Sequence, residues 1–187
     1  MSTHHLVSDH TLEIAADPAD VLDAFFSPEA MAEWWNAKRA VATPRPLGIY
    51  AVEWPATSFQ DDLFGPLGGV LYGVVVDYRP ARGFLVADGH WLPPESDPIG
   101  PMALHVELVT AGAVTKVRVM QTGGDDTPRW RRYYEIMSHG WMGSLAALKD
   151  YLEHAHRLKH PELTASAAVA ASAAVAASAA AASADHA

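Results

Sequence analysis

From Trp130 onward the large apolar residues fall at Tyr134, Met137, Trp141, Leu145, Leu148 and Leu152, at steps of three or four. That period is the single stripe of an α-helix and predicts one long helix from Arg129 to His156, about seven turns. Arg131, Arg132, Glu135, His139, Lys149 and Asp150 fall mostly off the stripe, so one face is made for water. Gly140 and Gly143 thin its middle, where each costs about 1 kcal/mol relative to alanine. Upstream, Thr11 to Ala15 reads as a short strand. Asp17-Pro18 and Ser27-Pro28 each set a capping residue before a proline at the first helical position. They predict two short helices, with apolar sides at Val21, Leu22, Phe25 and Phe26 and at Met31, Trp34 and Trp35. Six strands follow: Arg39–Thr43, Ile49–Trp54, Gly69–Tyr78, Phe84–Trp91, Met102–Thr110 and Ala113–Gln121, divided by Pro- and Gly-rich turns. Short connections between successive strands make an antiparallel meander. The order predicts an α+β fold, with the long helix as a lid over a curved sheet.

Alternate residues of a strand share a face, so polarity assigns inward sets. Tyr50, Val52 and Trp54 turn inward on one strand because Glu53 turns out. Leu104 and Val106 do so between His105 and Glu107, and Thr115, Val117, Val119 and Gln121 oppose Lys116 and Arg118. On Phe84–Trp91 polarity turns Leu85, Ala87 and Trp91 inward. The Pro55 to Gly68 loop carries Phe59, Leu63, Phe64 and Leu67, which serve as a ligand gate, as a partner contact or as packing onto the helix pair.

The chain has 187 residues, half of them hydrophobic and 19% charged. A single domain of that size needs no disulfide or metal staple. Cysteine is absent, which excludes a thiol nucleophile and cysteine-ligated zinc. A net charge of −9 argues against nucleic acid held through its phosphates. Met1 to Asp9 has neither a basic nor an apolar signal region, so a cytoplasmic protein is expected. Thr164 to Ala184 contains Ala, Ser, Val and one Thr without Leu, Ile, Phe or Trp, so no membrane span is expected there. The expected division is a domain over 1–160 and an Ala/Ser-rich tail over 161–187, helical or disordered, with Pro161 as the stop. His154, His156 and His160 favour a helix C-terminus. His156 and His160 have the spacing of a metal pair but lack a third ligand, so no metal site is expected. His4, His5 and His10 fall in an expected frayed end, and Asp61-Asp62 and Asp125-Asp126 read as solvated acidic turns. There is no nucleophile elbow, phosphate loop or HExxH, and no cofactor is expected.

Asp17-Pro18 through Phe25, then Ser27-Pro28-Glu29 to Trp34-Trp35, resembles the opening of the START-like (SRPBCC) superfamily. The likeness is to small bacterial domains related to the activator of the heat-shock-protein-90 ATPase. Leu47-Gly48-Ile49-Tyr50, Gly73-x-Val75 leading to Pro80, and Gly140-Trp141 agree with it, over roughly Thr11 to Glu153. The resemblance implies a helix-grip fold: a curved antiparallel sheet of six to seven strands clasps the C-terminal helix, with a hydrophobic cavity between them. Superfamily members bind lipids, sterols and polyketides, and some catalyse cyclisation or hydrolysis. The family pattern also implies a second register for Phe84–Trp91, with Phe84, Val86, Asp88 and His90 inward. In that register Asp88 and His90 are the candidate acid–base pair; otherwise they face solvent.

The first expectation is therefore a binder of a small hydrophobic or aromatic molecule. Its expected contacts are Trp35, Tyr50, Val52, Trp54, Phe84, Val86, His90, Leu104, Val106, Thr115, Val117, Val119, Gln121, Met137 and Trp141. A cyclase- or hydrolase-type enzyme using His90 and Asp88 is the second, and a protein-interaction module of co-chaperone type is the third. Homodimerisation is left open.

Overall fold

The computed structural model describes residues 7–160. His4, His5, Pro161 and the Ala/Ser-rich tail lie outside those residues. The elements are β1 (Val7–Ile14), α1 (Pro18–Ala24), α2 (Pro28–Trp34), β2 (Arg39–Ala42), β3 (Gly48–Trp54), β4 (Gln60–Asp61), β5 (Gly65–Pro66), β6 (Gly69–Arg79), β7 (Gly83–Leu92), β8 (Ile99–Ala111), β9 (Val114–Gly123) and α3 (Pro128–Lys159). Seven strands form one antiparallel sheet in the order β1-β9-β8-β7-β6-β3-β2, and β4 and β5 form a separate hairpin. This is the helix-grip α+β arrangement.

Local chemistry sets the helix starts. Ser27 Oγ accepts from the Ala30 amide at 3.2 Å, filling one of the orphan donors of α2. Asp17 holds the cap position of α1 without a side-chain bond, so the preset φ of Pro18 starts that helix. β1 begins at Val7 rather than Thr11. His10, expected in a frayed end, pairs with Val119 of β9, and its Nε2 lies 3.2 Å from Ser138 Oγ on α3.

Two apolar clusters fill the space between sheet and helices. The larger joins Val21, Phe25, Met31 and Trp34 of the short helices to Tyr50, Val52, Phe84, Val106 and Val117 of the sheet and Leu145 and Leu148 of α3. The smaller holds Phe64, Leu71, Trp91, Ile99, Met102, Trp130, Tyr133 and Tyr134. Each large side chain in them contributes about 1.5–3 kcal/mol by leaving water. Of the predicted α3 stripe, Met137 is only half-buried, while Tyr133, one residue off it, is fully buried.

The strand β7 contains the feature that decides the candidate chemistry. Asp88 and Gly89 stand opposite the single Gly73 of β6, between the pairs Val74–Ala87 and Tyr72–His90. This is a β-bulge, and Asp88 takes φ 52°, a left-handed conformation that Asp tolerates better than most residues. An extra residue flips every later side chain to the other face. Phe84 and Val86 are therefore buried before the bulge, and Gly89 and Trp91 after it. The inward register that includes Asp88 and His90 is corrected accordingly: Asp88 is 73% exposed, and His90 stacks on Tyr72 across the outer face, ring centroids 5.4 Å apart.

The Pro55 to Gly68 loop splits in two. Phe64 is buried against Trp91 at 5.1 Å, while Phe59 and Leu63 are exposed. Asp61, expected as a solvated turn residue, is also buried. Its carboxylate accepts from the Leu63 and Phe64 amides and from Arg132 Nε of α3, at 2.9, 3.2 and 2.7 Å.

Two compact units are distinguished, Met1–Leu152 and Glu153–Ala187. The described part of the second is the end of α3 and His160, where the rings of His156 and His160 lie 4.6 Å apart. No helix among the described residues is long and apolar enough to cross a membrane.

Candidate functional site

A cavity of about 420 Å³ lies beneath the middle of α3. Trp54 and Met137 pack against both core clusters, and the cavity occupies the gap that those clusters leave. Trp35 comes from the end of α2, Trp54 and Leu71 from β3 and β6, Trp91 from β7 beyond its bulge, and Met137 and Trp141 from α3. Asn36, Thr57 and Gly140 are exposed members of the wall and form its rim, with Ser144 half-buried beside them. Gln121 and Tyr133 are the buried polar members and form its floor. Among the described residues lining it, none is charged or a histidine.

The floor is a closed hydrogen-bond network. Trp141 Nε1 donates to Gln121 Oε1 at 3.2 Å. Gln121 Nε2 donates to Tyr133 Oη at 2.7 Å and lies 3.0 Å from Met102 Sδ. Tyr133 Oη in turn directs its hydrogen to the same sulfur at 2.9 Å. An indole N–H can only donate, so Gln121 must present its oxygen to Trp141, which fixes the amide orientation. Burial first, and the neighbouring Tyr134 second, push the Tyr133 phenol far above its ordinary value, although the bond from Gln121 opposes them. Tyr133 is therefore a neutral hydroxyl.

Two further wall indoles are engaged through their N–H groups as well. Trp54 donates to the Trp35 carbonyl at 2.9 Å and Trp91 to the Gly68 carbonyl at 2.7 Å. The second of these bonds ties the base of the Pro55 to Gly68 loop to the sheet. That loop supplies Pro55, Ala56, Thr57, Leu67 and Gly68 to the cavity wall. Its tip is fastened to α3 by the Asp61–Arg132 pair, and Arg129 lies over the Phe64 ring at 5.1 Å.

Of the residues singled out in the sequence, Trp35, Trp54, Gln121, Met137 and Trp141 are brought together at this cavity. Tyr50, Val52, Phe84, Val86, Leu104, Val106, Val117 and Val119 are packed into the larger cluster instead. Thr115 is buried with its hydroxyl donating to the Ala16 carbonyl at 2.7 Å. They are core, because α1 and α2 fill that half of the sheet's inner face. His90 lies outside with Asp88. Asn36, Leu71, Trp91, Tyr133, Ser144 and the loop residues were not singled out as contacts. Polarity alone turned Trp91 inward, Tyr133 adjoins the α3 stripe, and Leu67 belongs to the loop for which a ligand gate is one of three readings; nothing in the sequence marks Pro55, Ala56, Thr57 or Gly68 individually. Among the described residues no group of three His, Cys, Asp or Glu is placed to hold a metal ion.

The family described as Activator of Hsp90 ATPase homolog 1-like protein matches residues 15–153. No curated protein matches the chain. Among solved structures, a protein from Mesorhizobium loti aligns with TM-score 0.58 at 20% identity, covering 78% of this chain and 97% of its own. The Aha1 dimer from Colwellia psychrerythraea aligns with TM-score 0.57 at 16% identity, covering 79% and 96%. A protein from Mycobacterium smegmatis aligns with TM-score 0.60 at 11% identity, covering 86% and 99%. At these identities the likeness establishes the fold alone.

Proposed function

This chain belongs to the family of Activator of Hsp90 ATPase homolog 1-like proteins, and from that premise we propose that it binds a small hydrophobic or aromatic molecule in the cavity under α3. The observation that carries the reading is an uncharged space of about 420 Å³ walled by Trp35, Trp54, Trp91 and Trp141. Its volume falls within the roughly 300–1,000 Å³ of ordinary small-molecule sites. Aromatic walls provide large apolar contact at small conformational cost, with offset or edge-on geometry for a planar guest. The enzyme reading loses its acid–base pair, since Asp88 and His90 face outward.

The test is a titration with N-phenylnaphthylamine, a neutral aromatic probe, followed by tryptophan fluorescence. Saturable quenching with a rise in melting temperature is expected. Gly140→Leu supplies the control: a Cβ there meets no heavy atom within 4 Å, so the side chain enters the rim without displacing the helix. That variant should fold normally and lose binding at least tenfold, the equivalent of about 1.4 kcal/mol. Absence of saturable binding in the wild type, or unchanged binding in Gly140→Leu, overturns the reading.

Homodimerisation is a separate proposal, supported by the dimer named for the Colwellia structure and by the position of β2 at the sheet edge, with Val41 57% exposed. Sedimentation across a concentration series decides it, and a monomer throughout removes it.

A further inference from the structure

The polarity of the cavity narrows the class of guest. Charge is the first filter. Among the described residues no Lys, Arg, His, Asp or Glu lines the space, and an ion buried there without a partner loses its hydration uncompensated. Arg132, on the roofing helix, is already committed to Asp61 and Glu135. The second filter is the direction of the hydrogen bonds. Three of the four wall tryptophans give their N–H to protein acceptors. On the floor both hydrogens of the Gln121 amide are directed at Tyr133 Oη and Met102 Sδ, and the Tyr133 hydrogen at that same sulfur.

At the floor the donors are therefore consumed, and one acceptor is not. Gln121 Oε1 has two lone pairs and receives one hydrogen, from Trp141. The Trp141 indole prevents the amide from turning over, so the floor cannot exchange its acceptor for a donor. A guest that brings its own O–H or N–H gains a hydrogen bond at the floor, whereas one offering only an acceptor, an ether or a ketone, meets floor donors already occupied.

We infer that the cavity selects neutral aromatic molecules carrying a hydrogen-bond donor, phenols or aryl amines, with the donor held by Gln121 Oε1 at the floor. This rests on the proposed binding function and adds to it a direction and a charge. Gln121 is then the specificity-determining residue.

The experiment compares naphthol, methoxynaphthalene and naphthoate on the full chain by calorimetry at neutral pH. Naphthol and methoxynaphthalene differ in the donor, and naphthoate adds the charge. Naphthol should bind about threefold to tenfold more tightly than methoxynaphthalene, the worth of one neutral hydrogen bond. Naphthoate should bind weakest of the three. In Gln121→Met, which keeps the length of the side chain and removes the oxygen, the ratio of naphthol to methoxynaphthalene affinity should fall to near one. Should that variant not fold, the wild-type series decides alone. Equal or tighter binding of methoxynaphthalene, or naphthoate binding as well as naphthol, overturns the selectivity while leaving the binding role standing. Binding of none of the three removes the binding role and the selectivity with it.

Discussion

Tyr50 and Asp61 are two buried polar side chains with opposite histories. The Tyr50 hydroxyl lies in the larger cluster with no hydrogen-bond partner among the described residues, between the rings of Phe26 and Phe84. Burial pushes its phenol far up from the ordinary value. Tyr50→Phe removes a desolvated group that receives nothing in return, so it should be neutral or stabilise by up to about 1 kcal/mol in chemical denaturation. A loss above that range would mean that the hydroxyl has a partner after all. Asp61 is fully satisfied. Burial alone would raise its carboxyl, but the Leu63 amide, Arg132 and the Phe64 amide together hold it below the usual value. Its stabilisation is therefore complete above the ordinary carboxylate range and is lost as pH falls through the lowered folded value. Asp61→Ala should cost about 2–3 kcal/mol at neutral pH, and the difference from wild type should shrink on acidification. Neither role was legible in the sequence. Asp61 beside Asp62 looks like any acidic turn, and its burial depends on an arginine 71 positions away.

Elements were more legible than faces. The period of α3 and the paired Ser/Asp-Pro signals come from local backbone and packing rules, which operate within a turn or two. The helix bounds and the meander therefore follow closely from the residues. Facing is a longer-range property, and on β7 a single bulge defeated both registers: polarity holds after Asp88 and the family pattern before it. Which half of the inner face stays open was equally hidden, because that depends on where α1 and α2 pack. The glycines of α3 give a clean test at this scale. A Cβ at Gly143 meets no heavy atom within 4 Å, and the residue does not line the cavity. Gly143→Ala should stabilise by about 0.5–1 kcal/mol through helix propensity, raising the melting temperature by roughly 1–4 °C and leaving ligand affinity unchanged. A lower melting temperature would show that the glycine serves a packing or kinking role.

For the whole molecule, pH acts from both ends. Arg118 holds Asp9 below its ordinary value and Arg39 and Lys38 do the same for Glu53, chiefly through hydrogen bonds, so acid removes their contributions along with that of Asp61. At the alkaline end burial raises Tyr50, Tyr133 and Tyr134, the last to about 12. Because the folded chain resists ionising a buried phenol, stability is unaffected by these groups below the ordinary value of 10.0 and falls as pH rises from there toward the folded value. Denaturation across pH should give a plateau that falls on both sides, and steady stability above the ordinary tyrosine range would contradict the burial of these phenols. The β7 bulge also has an evolutionary consequence. Because parity along a strand decides which side chains look inward, losing one residue at Asp88 would leave Gly89 opposite Gly73 and keep Trp91 in the chamber wall, whereas straightening the strand with Asp88 retained would turn Asp88 and His90 inward and Trp91 out. Loss of the bulge without loss of the residue would therefore bring an imidazole to the cavity with no side chain newly invented, so the single extra residue is what keeps the chamber free of ionisable groups.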